Sequence, residues 1–386
     1  MHHLERWEQL GAAILGRKQL PHAGGVDNYR PDDWVRLSRS LEEHRGIPIA
    51  LSLLSDEQRS AMPPALLERW KDAHITYTLQ HLRQQQVLAD CYAAFDKLGV
   101  DALALKGAWL SICGYAEPGL RPMRDLDLLV RGKENAVLVF DHLRSNGYRT
   151  LKPFQKHDWW LENSHQLPAL VDPSESVLVE VHHRVFHGNG PDMSDEDRFW
   201  ASAFKHKVIG QEVVFPGLEW TAVHILAHSF RDHKLNNGPL VVTDLSILFG
   251  HEDFQLERYQ ELVEHYALEK EAMLAFGLLS RVESKANDAE INAAWTMMFS
   301  SNRELRALRD RERFTQYSWG ELLGQVVPSP SRLTSQYGVP KGFLSKARGY
   351  ASHFNRLLRQ RSTEVGTKVE PRTAAACEIF ENLMSD

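Results

Sequence analysis

The sequence predicts an α+β fold: a small mixed-sheet core flanked by helical N-terminal and C-terminal regions. Three observations predict it. Apolar residues recur at helical spacing through Phe95, and alternation takes over after Val100. From Val100 to Phe186 the runs read strand, helix, strand, helix and hairpin. Helical spacing returns at Gly217. A chain of 386 residues exceeds what one small core organises. Four regions are expected: a helical N-terminal region over 1–95, an α/β core over 96–215, a helical domain over 216–300 and a helical, basic C-terminal region over 301–386.

Each element has a local reason. "PPALLERWKDAHITYTLQHLRQQQVLADCYAAFDKLG" opens on prolines suited to a helix N-terminus and stops at Gly99. Its apolar face runs Leu66, Leu67, Trp70, Ala73 and Tyr77, and resumes at Leu88, Tyr92 and Phe95. "VDALALKG" reads as a short buried strand closed by glycine, "AWLSICGY" as a helix and "PGLRP" as a loop. "DLDLLV" alternates with the period of a strand. "KENAVLVFDHLRSNGY" is an amphipathic helix ending at Gly147. "HQLPALVDPSESVLVEVHHRVF" holds two strand-like runs about an Asp-Pro-Ser turn.

Composition narrows the function. Hydrophobic content of 43% and charged content of 25% suit a folded globular protein. A net charge of -6 lacks the basic footprint of general nucleic-acid binding. Cys91, Cys113 and Cys377 form no C-x-x-C pair, so neither a disulfide framework nor a thiolate zinc site is expected. The N-terminal stretch "MHHLERWEQLGAAILGRKQL" lacks the apolar core of a secretory signal. No run reaches the ~18 apolar residues that a membrane-spanning helix needs. A cytoplasmic protein without a membrane partner is the expectation.

The acids carry the chemistry. Asp125 and Asp127 stand two apart in a strand, so they share one face, while Leu126 and Leu128 turn to the other. Two carboxylates so placed raise each other's pKa. A divalent cation removes that conflict, and Mg²⁺ takes oxygen ligands from carboxylates and substrate phosphates. Glu180, flanked by Val179 and Val181, offers a third carboxylate from another strand. If the strands are neighbours, the three hold one or two metal ions. Lys106-Gly107 closes the first strand at a helix start, where backbone N–H groups and a missing side chain suit phosphate. Arg121 and Arg124 flank the acids as candidate partners of a triphosphate, or as simple counter-ions to Asp125 and Asp127.

"LKG", "YAEPGLRPMRDLDLLV" and "VEVHHR" resemble the uncharacterised nucleotidyltransferase family of the polymerase-β-type nucleotidyltransferase superfamily. The resemblance spans roughly Val100 to Leu248 and includes "AVHILAHSF" and "VVTDLSILF". It implies a polymerase-β-like core and transfer of a nucleoside monophosphate from an NTP, with ATP the expected nucleotide. It makes Asp125, Asp127 and Glu180 the catalytic acids and the ligands of Mg²⁺ or Mn²⁺, and Gly107 the glycine of the nucleotide turn. The superfamily turn is usually Gly-Gly or Gly-Ser; here it is Gly107-Ala108, without the hydroxyl that touches phosphate, and Lys106 is the candidate substitute. The acceptor stays open among small molecule, carrier, protein and RNA.

Other residues have two readings each. His182 shares the face of Glu180 and is a candidate for orienting a phosphate or acceptor, or a structural histidine. Trp159 and Trp160 either stack on a base or pack a core. His224 and His228 stand four apart near His233 and Asp244, a spacing that suggests zinc but lacks the glutamate of H-E-x-x-H. Leu322 to Thr363 contains no acid and seven Lys or Arg residues are read there, either an anion-binding stretch or a solvated helix face. Two rival functions follow: a non-catalytic nucleotide- or partner-binding module of the same fold, and a metal-dependent phosphohydrolase built on His224 and His228.

Overall fold

The computed structural model describes residues 29–151, 156–187, 192–235, 238–284, 289–299 and 371–385. The basic stretch Leu322 to Thr363 and the N-terminal stretch before Tyr29 lie outside the described residues. Among the described residues, four helices precede the sheet: α1 (Pro31–Glu43), α2 (Ile47–Leu53), α3 (Asp56–Ala61) and α4 (Pro64–Leu98). Ser55 and Gln58 form a reciprocal capping box at the start of α3. The long helix α4 starts on Pro64 and ends where Gly99 turns left-handed at φ 65°, a conformation glycine adopts without a Cβ clash.

The sheet follows. Strands β1 (Ala102–Ala104), β2 (Asp125–Val130), β3 (Arg149–Thr150), β4 (Leu170–Val171) and β5 (Leu178–His182) lie in the order β1-β2-β5-β4-β3. The pair β2/β5 is parallel and the other pairs are antiparallel, so the sheet is mixed. Between β1 and β2 a short helix α5 (Gly107–Trp109) runs on as a π-helical turn over Leu110–Gly114. Helix α6 (Lys133–Ser145) packs on β2 and β5 and buries Ala136, Val139, Phe140 and Leu143. Helix α7 (Asp158–Asn163) carries Trp159 and Trp160. Leu126 and Leu128 are 1% and 0% exposed, as alternation in "DLDLLV" requires of the face opposite the acids.

A second sheet departs from the sequence reading. After α8 (Asp197–Ala201), β6 (Phe204–Val208) and β7 (Gln211–Phe215) form an antiparallel hairpin. Its turn is Ile209-Gly210, both left-handed at φ 48° and 83°, the geometry that a two-residue hairpin loop demands. Lys205, His206 and Lys207 are all exposed, so the strand never alternates cleanly and its pattern hides it. Tyr92 of α4 ties the hairpin down: its hydroxyl donates to Val214 O at 2.8 Å and approaches Ala102 O at 3.1 Å.

Helices complete the description: α9 (Leu218–Ala227), running on as a π-helical turn over His228–Asp232, α10 (Leu240–Phe249), α11 (Leu256–His265), α12 (Glu269–Ser284), α13 (Ala289–Phe299) and α14 (Pro371–Ser385). Every residue of α9 is buried, because α10, α11 and α12 all pack around it. Helices α13 and α14 pack on each other. Among the described residues, no helix is long and apolar enough to cross a membrane.

Candidate functional site

The register of β2 against β5 assembles the acids. Asp127 lies directly beside Glu180, and Leu128 beside Val181, so Asp125, Asp127, Glu180 and His182 occupy one face. One ligand atom from each of Asp127, Glu180 and His182 falls within 4.8 Å of the others. Among the described residues no other group of His, Cys, Asp or Glu side chains is gathered this closely. His182 joins the cluster in the place where Asp125 was expected.

Two donors already face Asp127. Lys106 Nζ donates to its Oδ1 at 2.7 Å, and His182 Nε2 donates to the same oxygen at 2.8 Å. Burial alone would raise the Asp127 pKa, but Lys106 and His182 overcome it and hold the carboxyl well below its ordinary value. Lys106 stays charged despite burial, because Asp127, Asp125 and Glu180 surround it. Burial likewise works against protonated His182, and its bonds to Asp127 and Glu180 reverse the balance. Asp125 is treated differently: burial first, then Asp127 and Glu180, push its carboxyl up to about 7. The crowding that the sequence implied is therefore concentrated on Asp125. Two carboxylates and an imidazole gathered within 4.8 Å, with the crowded carboxyl of Asp125 on the same face, make a donor set that fits a divalent cation such as Mg²⁺ or Mn²⁺.

The acids open on a cavity of about 440 Å³, within the range of small-molecule sites. Asp125, Asp127, Glu180, Lys106, Gly107, Arg121 and Arg124 all line it. His182 does not: it is fully buried beneath the acids, so it orients Asp127 rather than reaching a phosphate. Lys106 likewise points to Asp127 and not outward. Its backbone sits at φ 51°, ψ -118°, a conformation that ordinary residues avoid and that recurs at functional turns.

Arg121 and Arg124 make no ion pair with Asp125 or Asp127. Arg121 instead grips Asp244 of α10 with two parallel bonds, Nε to Oδ1 at 2.9 Å and Nη2 to Oδ2 at 2.7 Å, and Tyr115 donates to the same carboxylate at 2.9 Å. This fork places Arg121 Nη1 over Gly107, where a Cβ would lie 1.9 Å from it. The glycine of the turn is thus required by an arginine packed on it. Arg124 is exposed at the rim.

The histidine spacing resolves differently from zinc binding. His224 is buried and held well below its usual pKa, first by burial and then by Lys106 and His228. Its ring meets Phe186 edge-on at 6.3 Å. His228 and His233 line the cavity, and Asp244 belongs to Arg121. Trp160 also lines the cavity, while its ring packs edge-on against Trp159 at 5.1 Å. Sequence reading missed Arg45 and His165, which line the cavity from the α1–α2 turn and from the segment before β4. Neither belongs to a motif, and no local signal marks them.

A family model described as "Uncharacterised nucleotidyltransferase" matches residues 30–282, well over half of the chain. The chain belongs to this family. The nucleotidyltransferase match starts before α1 and ends within α12, so it takes in the helices before the sheet as well as those after it. No curated protein matches the chain. A solved structure similar to part of it is an antigenic nucleotidyltransferase-like protein from Paracoccidioides brasiliensis, 15% identical, covering 54% of this chain and 95% of that one with a TM-score of 0.31. At that score the likeness decides nothing about the fold.

Proposed function

We propose that this chain is a divalent-metal-dependent nucleotidyltransferase that moves a nucleoside monophosphate from an NTP, ATP in the first instance, to a hydroxyl-bearing acceptor. The observation that carries this reading is the β2/β5 register, which sets Asp127 beside Glu180, with Asp125 on the same face, at the wall of an arginine-edged cavity. Asp125, Asp127 and Glu180 would hold the metal, Mg²⁺ or Mn²⁺, which when bound screens the phosphate charge and acidifies the attacking hydroxyl.

The chain's own residues divide the remaining work. Lys106 and His182 keep Asp127 ionised and fix its orientation. Gly107 seats Arg121 Nη1 at the turn, and Arg121 and Arg124 face the phosphate oxygens. Trp160 offers an indole face to the base. Glu180 takes the hydroxyl proton as the acceptor oxygen bonds to the α-phosphorus; the bond to pyrophosphate breaks on the opposite side. Positioning and charge stabilisation supply most of the rate in such a transfer.

The test uses α-labelled ATP, Mg²⁺ and fractions of a cell extract as the source of acceptor. A labelled product formed by the wild type and lost in Asp127→Asn is the expected result. Metal binding is read without an acceptor: Mn²⁺ at about 100 times its dissociation constant stabilises the fold by about 2.7 kcal/mol, a gain expected to shrink in Glu180→Gln. Absence of both label transfer and metal stabilisation would sink the reading. The bonds from Lys106 and His182 to Asp127 favour one alternative, a module that binds nucleotide without transferring it. That alternative predicts NTP binding with no labelled product from any fraction.

A further inference from the structure

The turn between α1 and α2 brings an arginine to the cavity from outside the α/β core. Arg45 lines the same cavity as the three acids. Among the described residues, no hydrogen bond or ion pair engages its guanidinium. Burial first, then Arg124 and Arg121, push its pKa down to about 10, and Tyr77 and Asp125 offset this less. Arg121 commits Nε and Nη2 to Asp244 and leaves Nη1 above Gly107.

The backbone also bears on how Arg45 is held. Its φ is 56°, the left-handed region that glycine and asparagine occupy far more readily. A turn that joins two helices can hold another residue there, as Ala267 does between α11 and α12, but Arg45 differs from it in lining the cavity. The turn is also wedged in place. His44 is buried against Gly238, just before α10, where a Cβ would come within 2.8 Å of His44 Nδ1. An unfavourable backbone thus holds a long cationic side chain at the cavity, and strain of this kind collects at ligand clamps.

We infer that Arg45, together with Arg124 and Nη1 of Arg121, is the receptor for the polyphosphate tail of the nucleotide, which makes the N-terminal helical region part of the nucleotide site. The inference rests on the nucleotidyltransferase reading. Guanidinium groups remain charged and match phosphate oxygens with a fork of donors. Three of them around one cavity disfavour one another until an anion sits among them. A tail held this way separates triphosphates from monophosphates and does not depend on the base.

Calorimetric titration of the full chain with inorganic tripolyphosphate and with AMP tests this in the wild type, Arg45→Met and Arg45→Gly. Glycine suits the left-handed turn, so the second variant removes the guanidinium while favouring the native backbone. The wild type is expected to bind tripolyphosphate more tightly than AMP. Both variants should weaken tripolyphosphate about tenfold or more and leave AMP within about twofold, as loss of a charge-assisted contact to the tail requires. Unchanged tripolyphosphate affinity in both variants, or equal losses for both probes, would overturn the role of Arg45 and leave the proposed function standing. A wild type that binds neither tripolyphosphate nor ATP would overturn both.

Discussion

Gly107 carries a packing demand at a single residue. Arg121 Nη1 already fills the space where a side chain would begin. Gly107→Ala therefore displaces Arg121, whose bidentate partner Asp244 is 2% exposed. Separating a buried pair leaves an uncompensated charge and costs about 3–5 kcal/mol. Urea unfolding is expected to register a loss of that order in Gly107→Ala and a comparable one in Asp244→Asn. A Gly107→Ala chain as stable as the wild type would mean that the arginine moves aside freely. The glycine itself was legible, because a strand ending in Lys-Gly before a helix is a local pattern. Its partner was not: Asp244 lies far along the chain and carried a different expectation, that of a metal-like histidine cluster.

Helix α4 explains why its apolar face lapses between Tyr77 and Leu88. The lapse faces the loop that carries Arg121 and Arg124. Gln80 and Gln84 each donate to Met123 O at 3.2 Å, and the Thr78 hydroxyl, which donates to His74 O at 2.9 Å, lies 3.2 Å from Pro118 O. Gly119, left-handed at φ 83°, lies against Thr78, where a Cβ would come within 2.7 Å. Ser111 Oγ lies 2.9 Å from His81 Nδ1 and 3.2 Å from Arg121 O. Replacing both Gln80 and Gln84 by alanine removes both side-chain donors to Met123 O, worth about 1–3 kcal/mol if the carbonyl is left unpaired. Amide exchange over residues 118–124 should quicken, and affinity for ATP should fall with it. Protection as slow as in the wild type would show that the loop is held by other contacts. The sequence exposed the gap in the helix pattern; it held no sign of the loop that fills it.

At the scale of the molecule, several buried histidines among the described residues are kept neutral. His224 and His228 are held well below the ordinary imidazole value, first by burial and then by Lys106. Burial also lowers His165 and moves His183 down to about 4. Above about pH 6.5 these groups are neutral folded or unfolded and contribute nothing to pH dependence. Below it the unfolded chain takes up protons that the native state refuses, so stability falls. Each fully buried histidine contributes a slope of up to about 1.4 kcal/mol per pH unit. Asp125 runs the other way in this interval, because its folded carboxyl is pushed up to about 7 and takes a proton that the unfolded chain refuses, and it offsets one of them; His182, with its folded pKa raised, acts only above pH 6.5. Metal-free protein is therefore expected to lose stability progressively between pH 6.5 and 5, with a shallower loss in His224→Gln. Denaturation midpoints that stay level over that interval would contradict the burial of neutral imidazoles.

Local chemistry in the chain determined the element types around the acids and the face each acid occupies. A strand's period of two is a property of six consecutive residues, so "DLDLLV" could place Asp125 and Asp127 together with their leucines opposite. The Asp-Pro-Ser turn marked the β4/β5 hairpin for the same reason. Tertiary structure alone decided that β2 pairs in parallel with β5, that Asp127 meets Glu180, that Lys106 and His182 hold Asp127, and that Asp244 anchors Arg121. It also brought Arg45 to the cavity and left His182 outside it. Contacts between residues 21 to 123 positions apart leave no periodic trace, because packing and loop closure select them.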